Sequence, residues 1–137
     1  MLTILVVDDE KLERKGIRFL LNRRSEEMEI LEAANGKAAC EILQHRTVDI
    51  MLTDIKMPFM DGIELVSVAH KLQPDLEMVI FSGYGEFEYA KKAMASGVSN
   101  YVLKPVDPAE FENTLNHLVE KITERRNAAQ RSQWNQD

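Results

Sequence analysis

Short apolar runs alternate with longer amphipathic stretches along most of the chain. The short runs are rich in β-branched residues, which is typical of strands, and the longer stretches carry apolar residues at helical spacing. The pattern predicts strands at 2–7, 28–33, 48–53, 76–81 and 99–103. It predicts helices at 11–23, 36–45, 63–72 and 86–96, and a last helix that starts near Pro108.

Strands that alternate with helices indicate parallel strands joined by crossover helices. Because such crossovers are right-handed, few topologies remain. The predicted fold class is α/β: a flavodoxin-like (βα)5, doubly wound, five-stranded parallel sheet with strand order 2-1-3-4-5. The segments 54–62 and 82–85 contain proline or glycine and are predicted to be loops.

The length of 137 residues fits one domain with its own core. We predict a globular domain over residues 1–122. Apolar content falls after about Ile122, so residues 123–137 are predicted to form a helix extension or linker.

The formal net charge of −6 disfavours non-specific nucleic-acid binding by this chain alone. No apolar run is long enough to span a membrane, and the start of the chain lacks the features of a secretory signal. The expected location is therefore the cytoplasm, without membrane association.

Polar residues follow four of the predicted strands. Ligands of open parallel sheets bind beyond the carboxyl ends of the strands, where the strand order switches direction. Five residues are therefore expected at one rim: Asp8 and Asp9 after the first strand, Asp54 after the third, Ser82 after the fourth and Lys104 after the fifth.

Three carboxylates at close range repel one another, and a cation relieves that repulsion. Oxygen ligands favour Mg²⁺, whereas Cys40 is the only cysteine and cannot form a cysteine-rich zinc site. Asp54 is a candidate nucleophile, with Lys104 and Ser82 as partners for a phosphate oxygen. Each residue alone also fits an ordinary cap, turn or surface role. Only their joint placement favours a site.

Four motifs, in order, resemble the response-regulator receiver domains of two-component systems. They are Val-Val-Asp-Asp-Glu at 6–10, Asp-Ile-Lys-Met-Pro-Phe-Met-Asp-Gly at 54–62, Phe-Ser-Gly-Tyr at 81–84 and Tyr-Val-Leu-Lys-Pro at 101–105. The resemblance covers residues 2 to about 120. The run 82–94 further resembles receivers that are joined to AraC-type (YesN-type) DNA-binding domains.

The resemblance implies a role for each matching residue. Asp54 would be the phospho-acceptor, assisted by Lys104. The Mg²⁺ ligands would be Asp54, Asp9 and the Lys56 main-chain carbonyl, with Asp8 acting through water. Ser82 and Tyr101 would be the switch residues. The Lys104–Pro105 peptide bond would be cis.

The implied function is a phosphorylation-dependent signalling switch. A sensor histidine kinase would donate the phosphoryl group to Asp54 with Mg²⁺ as cofactor. The chain would catalyse only its own phosphorylation and dephosphorylation, so it is not expected to be an enzyme in the usual sense. A further expectation is a homodimer through the face formed by helix 4, strand 5 and helix 5.

The kind of output stays open at this point. The chain is either the receiver part of a transcriptional regulator, which contacts DNA through an output domain outside these 137 residues, or a stand-alone receiver that acts by protein–protein docking. Two other classes fit less well. A haloacid-dehalogenase-type phosphatase requires a second Asp two residues after the nucleophile, where this chain has Lys56. A nucleotide-binding module requires a glycine-rich phosphate loop, and the sequence has none.

Overall fold

The structure is a computed structural model that describes residues 1–83, 85–95 and 97–134, with the side chains of residues 87, 93, 133 and 134 left aside. Its elements follow one another as β1 (Leu2–Val7), α1 (Lys11–Asn22), β2 (Met28–Ala33), α2 (Gly36–His45), β3 (Ile50–Asp54), α3 (Gly62–Leu72), β4 (Glu77–Ser82), α4 (Phe87–Ala95), β5 (Asn100–Leu103) and α5 (Pro108–Trp134). The predicted loop at Tyr84, helix end at Ser96 and linker residues 135–137 lie outside the described residues.

All five strands are parallel and their order is β2-β1-β3-β4-β5, as predicted. The central strands β1, β3 and β4 are buried almost throughout, because helices cover both faces of the sheet. Alternate residues point to opposite faces. One face packs with α2 and α3 in a cluster that includes Leu5, Met51, Leu65, Val66 and Ile80.

The start of β3 differs from the prediction. The apolar pattern begins at Val48, but the strand begins at Ile50. The Val48 backbone N–H donates to Gln73 Oε1 at 3.0 Å instead of joining a strand. Val48 is still buried, so its apolar character reflects packing without strand pairing.

The start of α3 also differs, because Gly62 was expected in the loop and is instead the first helical residue. The Asp61 side chain caps this helix by accepting from the Glu64 N–H at 2.9 Å. A Cβ on residue 62 would lie 2.4 Å from the Asp54 carbonyl oxygen. Only glycine therefore allows α3 to begin against the end of β3.

The chain divides into two compact units, residues 1–106 and 107–137. The second unit is α5, which starts at Pro108 and continues to Trp134. Its buried apolar residues recur at helical spacing: Phe111, Leu115, Leu118 and Ile122. Residues 123–132 are all exposed. Within the described part of the chain, no helix combines the length and apolar character that a membrane span requires.

Candidate functional site

The carboxyl ends of β1 and β3 lie side by side in the middle of the sheet. The two strands pair with Val7 opposite Thr53, so the next residue along each strand places Asp8 beside Asp54. Both aspartates are buried, with 6% and 8% of their surface exposed. The sheet topology thus holds two carboxylates together in a place where water screens their charges poorly.

Lys104 reaches this rim from β5. Its backbone N–H donates to the Ser82 carbonyl oxygen at 2.8 Å, which extends the pairing of β4 with β5 by one step. Its Nζ lies 3.0 Å from Asp54 Oδ1 and 2.9 Å from Glu13 Oε2. The Lys104–Pro105 peptide bond is cis, as the resemblance implies.

Glu13 is a member of this cluster that sequence reasoning missed. It is the third residue of α1, and its carboxylate can supply one oxygen within 4.8 Å of one from Asp8 and one from Asp54. The available signal was the start of α1 directly after Asp8-Asp9-Glu10, since the first helical turn lies over the strand end. Spacing alone could not distinguish Glu13 from the exposed Glu10.

Backbone contacts fix both aspartates. Asp8 Oδ1 accepts from the Glu10 N–H at 2.9 Å, and the Asp8 carbonyl oxygen accepts from Arg14 Nη1 at 2.7 Å. Asp54 Oδ1 accepts from the Ile55 N–H, also at 2.9 Å. Each carboxylate is therefore held by a backbone N–H one or two residues further along the chain.

The electrostatics of the rim reflect burial first and the crowding of like charges second. Burial, the hydrogen bond with Glu13 and the nearby Asp54 raise the pKa of Asp8 to about 7. The hydrogen bond with Asp8, followed by the contact with Lys104, lowers the pKa of Glu13. Burial raises the pKa of Asp54, although Lys104 opposes the shift. Burial alone would lower the pKa of Lys104, but Glu13 and Asp54 outweigh it and the pKa is raised.

Ser82 is the last residue of β4 and is fully buried. Its Oγ has no hydrogen-bond partner among the described residues. A buried hydroxyl without a partner is costly, which makes a ligand oxygen a natural acceptor for it. Tyr101 lies on β5, is half-buried and packs against the core cluster.

Two predicted metal contacts, Asp9 and the Lys56 carbonyl, are not among the three carboxylates that converge in the described part of the chain. Asp9 is exposed. Lys56 follows Asp54 by two residues, and its Nζ lies 5.4 Å from the centre of the Tyr89 ring on α4. The roles of Asp9 and of the Lys56 carbonyl therefore stay predictions.

The chemistry of the donor set fits a hard divalent cation. Asp8, Glu13 and Asp54 offer only oxygen, and their mutual repulsion is the kind that a cation relieves. Together with the parallel sheet and the lysine at the same rim, this defines a class: a flavodoxin-like domain with an acidic pocket and a lysine at the carboxyl ends of its strands.

Solved structures of similar sequence share the whole fold. A two-component transcriptional regulator AraC from Clostridium phytofermentans is 38% identical with a TM-score of 0.82, covering 92% of this chain and 98% of its own. The receiver (REC) domain of AraT, a response regulator from Geobacillus stearothermophilus, is 36% identical with a TM-score of 0.81, covering 91% and 98%.

Curated relatives of similar sequence are also transcriptional regulatory proteins. The transcriptional regulatory protein YesN of Bacillus subtilis is 36% identical over 89% of this chain and 33% of its own length. HptR of Staphylococcus aureus, also a transcriptional regulatory protein, is 32% identical over 96% and 52%. The chain thus spans between a third and about half of these relatives. Residues 4–116 match the response regulator receiver domain family, and the chain belongs to that family.

Proposed function

We propose that this chain is a phosphorylation-dependent switch in which Asp54 accepts a phosphoryl group from a phosphohistidine of a sensor histidine kinase. The observation that carries the proposal is the meeting of Asp54 with Lys104 at 3.0 Å, at the end of the sheet where the buried Ser82 hydroxyl has no hydrogen-bond partner among the described residues. A carboxylate nucleophile, a cation and a hydrogen-bond donor are the groups that phosphoryl transfer to an aspartate requires.

The proposed step is an in-line displacement. Asp54 Oδ1 is held by the Ile55 N–H and by Lys104, so we assign the attack on phosphorus to Oδ2. The new O–P bond forms as the N–P bond breaks, and the electron pair of that bond returns to the imidazole of the kinase. Lys104 stabilises the charge that develops on the phosphoryl oxygens.

The cofactor of the proposed reaction is Mg²⁺. Asp54, Asp9 and the Lys56 carbonyl would hold the ion, with Asp8 acting through water. When bound, Mg²⁺ would neutralise charge on the phosphoryl oxygens. The crowded carboxylates Asp8 and Asp54 support this assignment, because the only ion pair that either carboxylate makes among the described residues is that of Asp54 with Lys104.

The readout of the switch involves Ser82 and Tyr101. A phosphoryl oxygen on Asp54 would accept the hydrogen bond that the Ser82 hydroxyl lacks within the described residues. We infer that this draws the 82–85 loop inward and lets the half-buried Tyr101 ring move into the vacated space. The coupling free energy of such a switch is typically about 1–3 kcal/mol.

The output we propose is transcriptional, because the chain is homologous to the receiver parts of transcriptional regulators. Residues 1–122 would be the receiver and residues 123–137 an extension towards an output domain that contacts DNA in the cytoplasm. A stand-alone receiver is the less favoured alternative. Exposed apolar side chains on α4 and β5, namely Tyr89, Met94 and Leu103, support a dimer face that includes these elements.

Labelling with acetyl phosphate tests the acceptor. Wild type with Mg²⁺ should gain one phosphoryl group by intact mass, and Asp54→Asn should gain none. Asp61→Asn is the matched control, because asparagine preserves the cap of α3 and labelling should persist. Labelling of Asp54→Asn would refute the acceptor assignment, and full labelling without a divalent ion would refute the metal assignment.

A further inference from the structure

Glu13 belongs to the carboxylate cluster of the rim, and the proposed phosphoryl transfer assigns it no role. Its Oε2 lies 2.9 Å from Lys104 Nζ, and Asp54 Oδ1 lies 3.0 Å from the same nitrogen. The ammonium group is thus shared between two carboxylates from distant parts of the chain. An ammonium has three N–H donors, so these contacts occupy two of them.

The two carboxylates differ in how firmly they are held. Asp54 is buried at a strand end and is fixed by the Ile55 N–H. The Glu13 side chain is 38% exposed and extends from a helix surface. A cavity of about 290 Å³ borders both Glu13 and Lys104, and Gly16 on the same helix contributes no side chain to fill it. Glu13 is therefore the less firmly held of the two carboxylates, and its hydrogen bond with Asp8 leaves it a partner when it releases Lys104.

Phosphorylation would change what Lys104 has to neutralise. A phosphoryl group on Asp54 carries more negative charge than the carboxylate it replaces and presents three strong acceptor oxygens. Lys104 cannot donate all of its N–H groups to those oxygens while it also donates one to Glu13. The additional negative charge of Glu13, close to the same nitrogen, also opposes the arrival of the phosphoryl group.

On this basis, and resting on the proposed phosphorylation of Asp54, we propose that Glu13 is a positioning residue that competes with the phosphoryl group for Lys104. Glu13 holds the ammonium beside Asp54 in the unphosphorylated protein and releases it when the phosphoryl group arrives. The native site therefore binds a phosphoryl group less tightly than the same site without the Glu13 charge.

The affinity for trifluoroberyllate, a mimic of the phosphoryl group, measures this competition. With saturating Mg²⁺, calorimetric titration should show that Glu13→Gln binds the mimic about fivefold more tightly than wild type, which corresponds to the loss of one partly exposed ion pair. Glu13→Ala should change the affinity in the same direction and guards against a new hydrogen bond from glutamine. Glu10→Gln alters the net charge equally at an exposed neighbouring position and should leave the affinity near that of wild type.

A second readout reports on Lys104 itself. In protein labelled with ¹⁵N-lysine, the Lys104 ammonium of the resting wild type should exchange its protons with water more slowly than that of resting Glu13→Gln. With trifluoroberyllate bound, the two proteins should give similar exchange rates, because Glu13 is then displaced. A purely structural role for Glu13 would not produce this convergence.

The outcomes separate the two proposals. If wild type fails to bind trifluoroberyllate in the presence of Mg²⁺, both the proposed phosphorylation of Asp54 and the proposed role of Glu13 are refuted. If wild type binds but Glu13→Gln binds equally or more weakly, only the competition by Glu13 is overturned.

Discussion

The two ends of the sheet treat their polar groups in opposite ways. At the amino ends of the strands, Asp49 Oδ2 accepts from the Thr3 N–H at 2.8 Å, and Glu77 accepts from the Ser99 hydroxyl. At the carboxyl ends, Asp8, Glu13 and Asp54 crowd together around Lys104. The first end satisfies its polar groups internally and stabilises the fold. The second end retains repulsion that a ligand can relieve, which is where we place the function.

The largest expected effect is a loss of stability when the hydrogen bonds at the amino ends of the strands are removed. The Gln73 side chain donates to the carbonyl oxygens of Leu43 and Arg46 and accepts from the Val48 N–H, with distances of 2.7–3.0 Å. Because Gln73→Ala leaves these groups without their partner, we expect it to lower the free energy of unfolding by about 2–3 kcal/mol in urea denaturation. Gln44→Ala, on the exposed side of α2, should change stability little. Labelling of Asp54 should survive in Gln73→Ala, and its loss would contradict the separation of the two ends.

A smaller effect concerns pH at the carboxyl end. The pKa of Asp8 is about 7 in the metal-free fold and about 3.8 when unperturbed, so the folded state retains a proton that the unfolded chain has released. The free energy of unfolding of the metal-free protein should therefore decrease as pH rises from about 4 to 7, by on the order of 1–3 kcal/mol.

Urea denaturation of metal-free protein between pH 5 and 7.5 checks this trend. Glu13, whose pKa is lowered, stays ionised in that window and does not obscure it. Asp8→Asn should reduce the slope, because the asparagine side chain does not titrate, and the raised pKa of Asp54 should account for the part of the slope that remains. An equal slope in wild type and Asp8→Asn would show that the crowding at Asp8 does not influence folding.

The smallest expected effect concerns the contact between Lys56, which lies near the carboxyl end of β3, and Tyr89 on α4. Lys56 Nζ lies over the Tyr89 ring, and both residues border a cavity beside Asp61. A double-mutant cycle with Lys56→Met and Tyr89→Leu should give a coupling of about 0.5 kcal/mol, typical of an exposed cation–π pair. Additive effects of the two substitutions would mean that the contact contributes nothing to the free energy of unfolding.

Much of the fold could be predicted because each element carries its own local pattern. The bounds of β1, β2 and α2 agree with the prediction, since apolar periodicity and turn residues coincide there. The start of β3 could not be predicted, because Val48 is apolar for packing while Gln73, twenty-five residues away, takes its N–H. Local sequence contains no information about such a distant partner.

The candidate site also has features that the sequence predicts and features that only the tertiary structure determines. The sequence by itself determined that Asp8, Asp54, Ser82 and Lys104 lie at strand ends, because strand ends are local features and parallel strands share one rim. The structure moves Asp54 and Ser82 from the predicted loops to the last positions of β3 and β4. Only the tertiary structure decided that Glu13 joins Lys104 and that Asp9 is exposed, since both depend on the direction in which α1 leaves β1. It also decided that the Ser82 hydroxyl is buried without a described partner, because burial results from packing of elements that are distant in sequence.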